Sequence, residues 1–89
     1  MDTKEFDQIK KIISKKIKEE RIKHGYSVRT LADLTNIGYS HISRLENNKI
    51  PSPRLETYLI IFEVLEISLG EVFSDLDNLP PFNRYPPYH

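Results

Sequence analysis

Ile9, Ile12, Ile13 and Ile17 recur at helical spacing between lysines, in a stretch from Glu5 to His24 that contains no glycine or proline. Residues three and four apart share a helix face, so this pattern predicts a long first helix, apolar on one side and basic on the other. Gly25 ends it, because glycine takes up the geometry of a helix C-terminus without a Cβ penalty. Ser27 then caps a second helix over Val28 to Thr35, with Tyr26 and Leu31 placed to pack as a hydrophobic staple. Asn36 tolerates the left-handed conformation of a tight turn. A third helix follows from Tyr39 to Asn47, with Gly38 at its N-cap and Ile42 and Leu45 facing inward. Ser52 and Pro53 suit the start of a fourth helix, about Arg54 to Glu66, with Leu55, Leu59, Phe62 and Leu65 as its core stripe. Tyr58, Ile60, Ile61 and Val64 make that helix more apolar than a monomer's surface helix requires. Ser68-Leu69-Gly70-Glu71 has the form of a capping box and opens a fifth helix carrying Val72, Phe73 and Leu76.

Five helices and no strand make the chain all-α, with one folded domain over residues 1–77. Residues 79–89 hold four prolines and three aromatics, which favours an extended Pro-rich tail over residues 78–89. That tail is read either as a loosely docked terminus or as an arm that packs on the domain or on a second subunit. At 89 residues a second domain is not expected. The absence of cysteine removes disulfides and thiolate metal sites, so packing alone must hold the core. The polar start after Met1, and the lack of a long apolar run, make a cytoplasmic protein without leader or membrane span the expectation.

Net charge is zero, yet it is unevenly spread. Residues 1–54 hold twelve Lys/Arg against seven Asp/Glu, a balance of +5, and residues 55–89 hold one Arg against six acids, a balance of −5. Such an asymmetry points the basic half towards a polyanion, with solvated helix faces as the plainer explanation.

Leu31, Ala32, Ile37, Ile42 and Leu45 describe two short helices joined by a tight turn, with Ala32 small where the helices cross and Ile37 plugging the turn. Together with the run Ile42-Ser43-Arg44-Leu45-Glu46-Asn47-Asn48-Lys49 and with Leu65 to Phe73, they resemble the phage-repressor and Cro-type (XRE-like) helix-turn-helix proteins, the resemblance covering about Ile13 to Phe73. That family includes restriction-modification controller proteins, phage and plasmid repressors, and antitoxins. The resemblance implies a compact five-helix lambda-repressor-like domain with a helix-turn-helix at about 28–47. It also implies a homodimer on a palindromic double-stranded DNA operator, acting as a transcriptional regulator, most simply a repressor.

Carried onto this chain, the resemblance makes Tyr39, Ser40, Ser43 and Arg44 candidates for base contact. Arg44 is foremost, because a guanidinium pairs bidentately with guanine O6 and N7; its alternative is a phosphate clamp. Ser27, Val28 and Arg29 at the start of helix two, Gly38 before helix three, and Asn47, Asn48, Lys49 and Arg54 after it are the other DNA-contacting candidates, the alternative for each loop residue being plain solvation. Arg21 and Glu46 match a structural salt bridge between helix one and the end of helix three. Three departures stand out. Val28 occupies a position where the family commonly has a phosphate-binding Gln, with Arg29 as the available replacement. Asn36 replaces a usual Gly, and Glu20 stands where the first helix often carries an apolar or basic residue, so Glu19 and Glu20 must point away from DNA to avoid repelling it.

Enzyme chemistry is not expected: His24, His41 and His89 fall in no metal-ligand spacing, no glycine-rich loop is present, and no cofactor is implied. The rival reading is a protein-interaction module, an antirepressor or antitoxin, whose acidic C-terminal half binds a regulatory protein partner. Zero net charge and the lost Gln favour it; Arg44, Lys49, Arg54 and the lysine-rich first helix favour DNA.

Overall fold

Asp2 starts the first helix by accepting the Glu5 amide at 2.8 Å, which satisfies one of the donors that every helix N-terminus leaves unpaired. In the computed structural model, which describes residues 2–77, α1 then spans Thr3–Lys23. It is followed by α2 (Val28–Thr35), α3 (Tyr39–Glu46), α4 (Leu55–Leu65) and α5 (Leu69–Leu76), with no strand among the described residues. The Pro-rich segment 78–89 lies outside them.

α1 is the spine, touching α3, α4 and α5, while α2 packs on α3 and α4. The centre is built from Ile17, Leu31, Ile42, Leu45, Ile61 and Leu65, all fully buried, so each of the first four helices drives at least one branched side chain into it. Burying such side chains is the main favourable term, about 1.5–3 kcal/mol each. Val72 and Leu76 bring α5 against the same core, and Ile37 and Val28 pack at its edge.

The helix ends follow local chemistry. Ser27 accepts the Thr30 amide at 3.0 Å and Ser68 the Glu71 amide at 3.1 Å. The Glu71 carboxylate, which a full capping box would turn back on its own helix, is instead held by Lys16 Nζ of α1 at 3.3 Å. Three helices end alike: Gly25, Asn48 and Glu66 adopt positive φ of 73°, 55° and 57°. The next amide in each case reaches back five residues, Tyr26 to Arg21 (3.1 Å), Lys49 to Arg44 (2.8 Å) and Ile67 to Phe62 (2.8 Å), the Schellman closure of a helix. Asn36 is also left-handed, with φ 57°. Beside it the Thr35 hydroxyl donates to the Leu31 carbonyl at 2.7 Å and accepts the Ile37 amide at 3.3 Å.

Two expectations for α4 are corrected. Arg54 remains extended and is its N-cap, without a side-chain cap bond, so the helix starts at Leu55 and Ser52 is too far upstream to cap it. Its buried stripe is Tyr58, Ile61, Phe62 and Leu65, while Leu55 is 69% exposed and Leu59 41%. Both stripes obey helical spacing in a helix this apolar, and the docking of α1 and α2 selects between them. α3 also ends a residue sooner than expected, with Asn47 as its C-cap.

Candidate nucleic-acid interface

Ile42 and Leu45 are sunk in the core, so α3 has one committed face, and Tyr39, Ser40 and Arg44 are exposed away from it, with Ser43 half-buried. Arg44 has no ion-pair partner among the described residues. A free guanidinium on an anchored helix is available for bidentate hydrogen bonding. Gly38, exposed, precedes α3 without a side-chain cap bond, so the first amides of the helix are not masked by its own N-cap side chain.

Across the turn, the Arg29 guanidinium lies over the Tyr39 ring at 5.1 Å from its centroid. This cation–π contact links the start of α2 to the start of α3. Val28 is half-buried against the core and serves packing. The link between the two helices is therefore made one residue later, by Arg29. The Ser27 hydroxyl is occupied by its cap and by Thr30 Oγ1 at 2.9 Å.

Behind α3, Arg21 and Glu46 form a two-pronged pair. Nε donates to Oε2 at 2.7 Å and Nη2 to Oε1 at 3.0 Å, while Nη1 donates to the Tyr26 carbonyl at 2.8 Å. The two side chains are 12% and 4% exposed. One guanidinium thus joins α1, the end of α3 and the α1–α2 turn.

The loop after α3 is shaped by its asparagines. Asn47 Nδ2 donates to the Ser43 carbonyl at 2.8 Å, which closes the helix and turns that amide inward. Asn48 supplies the left-handed residue, and Lys49 and Arg54 stand exposed beyond it. Two features escaped the sequence. Lys10 is buried, with its Nζ donating to the Pro51 carbonyl at 2.9 Å. Lys11, Lys15 and Lys18 line a shallow groove with Asn47 and Asn48. The spacing of the three lysines is legible as one helix face; the loop that this face meets depends on how α1 docks. Glu20 faces Lys16 at 3.6 Å and Lys23 at 3.4 Å, so its charge is locally compensated.

The helix-turn-helix family model matches residues 17–72, more than half of the chain. The chain is similar to the HTH-type transcriptional regulator PuuR of Escherichia coli (strain K12) and to the regulator of the same name in Shigella flexneri. Each is 36% identical over 61 residues, which is 68% of this chain and 32% of the relative. The chain thus spans about a third of the length of the curated relatives it matches. No solved structure matches it significantly. No described helix is long and apolar enough to cross a membrane. Among the described residues no group of three or more His, Asp or Glu is arranged to hold a metal ion.

Proposed function

The chain belongs to the XRE-type helix-turn-helix family, and from that premise we propose that it is a sequence-specific DNA-binding transcriptional regulator. In this reading residues 1–77 form the binding domain and α3 enters the major groove. The observation that carries it is the two-sidedness of α3: Ile42 and Leu45 lock one face into the core, and Tyr39, Ser40 and Arg44, which has no ion-pair partner among the described residues, stand on the other. Arg44 is the principal base reader. Tyr39, held under Arg29, sets the approach of the helix, and Ser40 and Ser43 make short contacts. Ser27, Val28, Arg29 and Gly38 border the duplex at the N-termini of α2 and α3, where Ser27 and Val28 contribute backbone amides more than side chains. Asn48, Lys49 and Arg54 hold phosphates, and Asn47, whose side-chain amide already donates to the Ser43 carbonyl, has one N–H left to add to them.

The finer reading is a homodimeric repressor on a palindromic operator. One recognition helix covers few base pairs, and a two-fold pair places half-sites about one helical turn, roughly 34 Å, apart. Exposed Leu55, Leu59 and Ile60 of α4, with Leu69 and Phe73 of α5, supply an apolar surface for a second copy.

The test is selection of sites from a random duplex pool, followed by anisotropy titration of the winner. Enrichment of an inverted repeat is expected, and Arg44→Ala should weaken binding by about 1–3 kcal/mol and relax one position in each half-site. Failure to enrich any sequence, with binding left near the non-specific level of about 10⁻⁴–10⁻⁶ M, sinks this reading and turns the search to a protein partner of the acidic half.

A further inference from the structure

We propose that the lysine face of α1 is a phosphate-binding surface in which Lys11, Lys15 and Lys18, beside Asn47 and Asn48, grip the duplex backbone outside the bases read by α3. The proposal rests on the DNA reading above and extends its footprint. The family model begins at residue 17, whereas α1 begins at Thr3. Lys11 and Lys15 therefore lie on helix that precedes the matched segment, and Lys18, Asn47 and Asn48 lie within it.

The first observation is an anchor. Lys10 is buried, and its ammonium donates to the Pro51 carbonyl at 2.9 Å, pairs with Asp7 at 3.2 Å and lies 5.2 Å from the centre of the Phe6 ring. An ammonium is expensive to bury unless it is paired in this way. The contact ties the early turns of α1 to the segment that follows the recognition helix.

The second observation is what that anchor presents. Lys11, Lys15 and Lys18 follow one another at four and three residues, share one side of α1, and line the same groove as Asn47 and Asn48. All three are exposed. Lys11 and Lys18 have no ion-pair partner among the described residues; Lys15 faces exposed Glu19 at 3.9 Å and also lines a neighbouring groove with Glu19 and Asp75, so a phosphate must draw Lys15 away from Glu19. Glu46 borders the groove, but Arg21 neutralises it. From Lys11 to Lys18 the helix advances about 10 Å, at roughly 1.5 Å per residue. Duplex DNA presents a phosphate about every 3.4 Å of axis on each strand, so three ammonium groups over this distance match a short run of one backbone. Lysine acts here as a point charge, giving affinity and register without reading sequence.

The experiment is anisotropy titration of the full chain at several salt concentrations, on the selected duplex extended by one helical turn at each end. The wild type is compared with the triple variant Lys11→Gln/Lys15→Gln/Lys18→Gln. Each lost phosphate contact should make the slope of log affinity against log salt shallower by about 0.9, so about 2.7 per bound protomer, with the order of preference among sequences unchanged. Lys16→Gln removes the same charge from the side of α1 that faces Glu71 and should leave the slope as it is. The lysine surface is overturned if the triple variant keeps the wild-type slope, or if Lys16→Gln flattens it by about 0.9, the value of one lost phosphate contact. A wild type that binds no duplex removes the DNA reading and the lysine surface together; one that binds its selected site while the triple variant keeps its slope removes the lysine surface alone.

Discussion

Arg21 and Glu46 lie 25 residues apart in the chain, and their pairing is the kind of contact that spacing cannot reveal; family resemblance alone named it. With the pair almost fully covered, removing one partner leaves the other's charge in a poorly solvated place, at about 3–5 kcal/mol. Arg21→Ala should therefore lower the midpoint of urea unfolding sharply, and a variant that unfolds like wild type would show the pair to be solvated in practice. Tyr58 poses the opposite case. Its hydroxyl is buried without a hydrogen-bond partner among the described residues, while its ring stacks on Phe62 with centroids 6.0 Å apart. Burial pushes its pKa up to about 12. The folded chain then holds the phenolic proton more tightly than the unfolded chain does, so stability should fall as pH rises from about 10 to 12. Tyr58→Phe should remove that part of the alkaline loss and raise stability at neutral pH by about 1 kcal/mol, since an unsatisfied buried hydroxyl disappears while the ring remains. Urea titrations of both proteins across this pH range check the two effects together.

At the scale of the elements, the helix termini were the most legible features. Ser27, Ser68, Gly25 and Asn36 each act as residues of their type act in short peptides, because a cap is satisfied within four or five residues of sequence. Glu66 was not legible: nothing in an acidic side chain announces φ 57°. It takes that conformation because α4 and α5 must change direction there while Leu65 and Ile67 both stay buried. A left-handed residue with a Cβ carries a penalty that glycine avoids. Glu66→Gly should stabilise the protein by about 1 kcal/mol, visible as a higher melting temperature; its exposed carboxylate, 3.5 Å from His24, offers little to set against that. Charge adds to the packing of Val72 and Leu76 in tying α5 to α1. Desolvation lowers the Lys16 pKa, but the hydrogen bond and charge of Glu71, with the charges of Glu20 and Asp75, outweigh it and leave the ammonium above its ordinary value. That contribution is present below the unfolded-state pKa and is lost as pH climbs through the folded one, the same direction as the Tyr58 effect.

At the scale of the molecule, the exposed apolar face of α4 is the feature that suits a second copy. Leu55, Leu59 and Ile60 share a shallow groove edged by Glu56 and Glu63, and Phe73 is 59% exposed. If two copies meet there, Leu59→Glu places carboxylates face to face across the symmetry axis. Sedimentation should then show a monomer whose helical circular dichroism is unchanged, with DNA affinity reduced because two half-sites are no longer held together. A wild type that sediments as a monomer at concentrations well above its DNA affinity would remove the interface and leave recognition to a single α3.

The sequence by itself determined the five helices, their order, most of their ends and the inward residues of the helix-turn-helix. These depend on periodicity and on capping reactions that act over one or two turns. It also brought the chain to its family and singled out the exposed residues of α3, because a short amphipathic helix has only one polar side. Tertiary structure alone decided which stripe of the over-apolar α4 is buried, that Lys10 is an anchor inside the protein, that Arg29 covers Tyr39, and that the lysines of α1 meet the loop after α3. Each of these is a question of which face lies against which neighbour. Local propensity is silent on it, since the free energy that settles it is released only when whole helices dock.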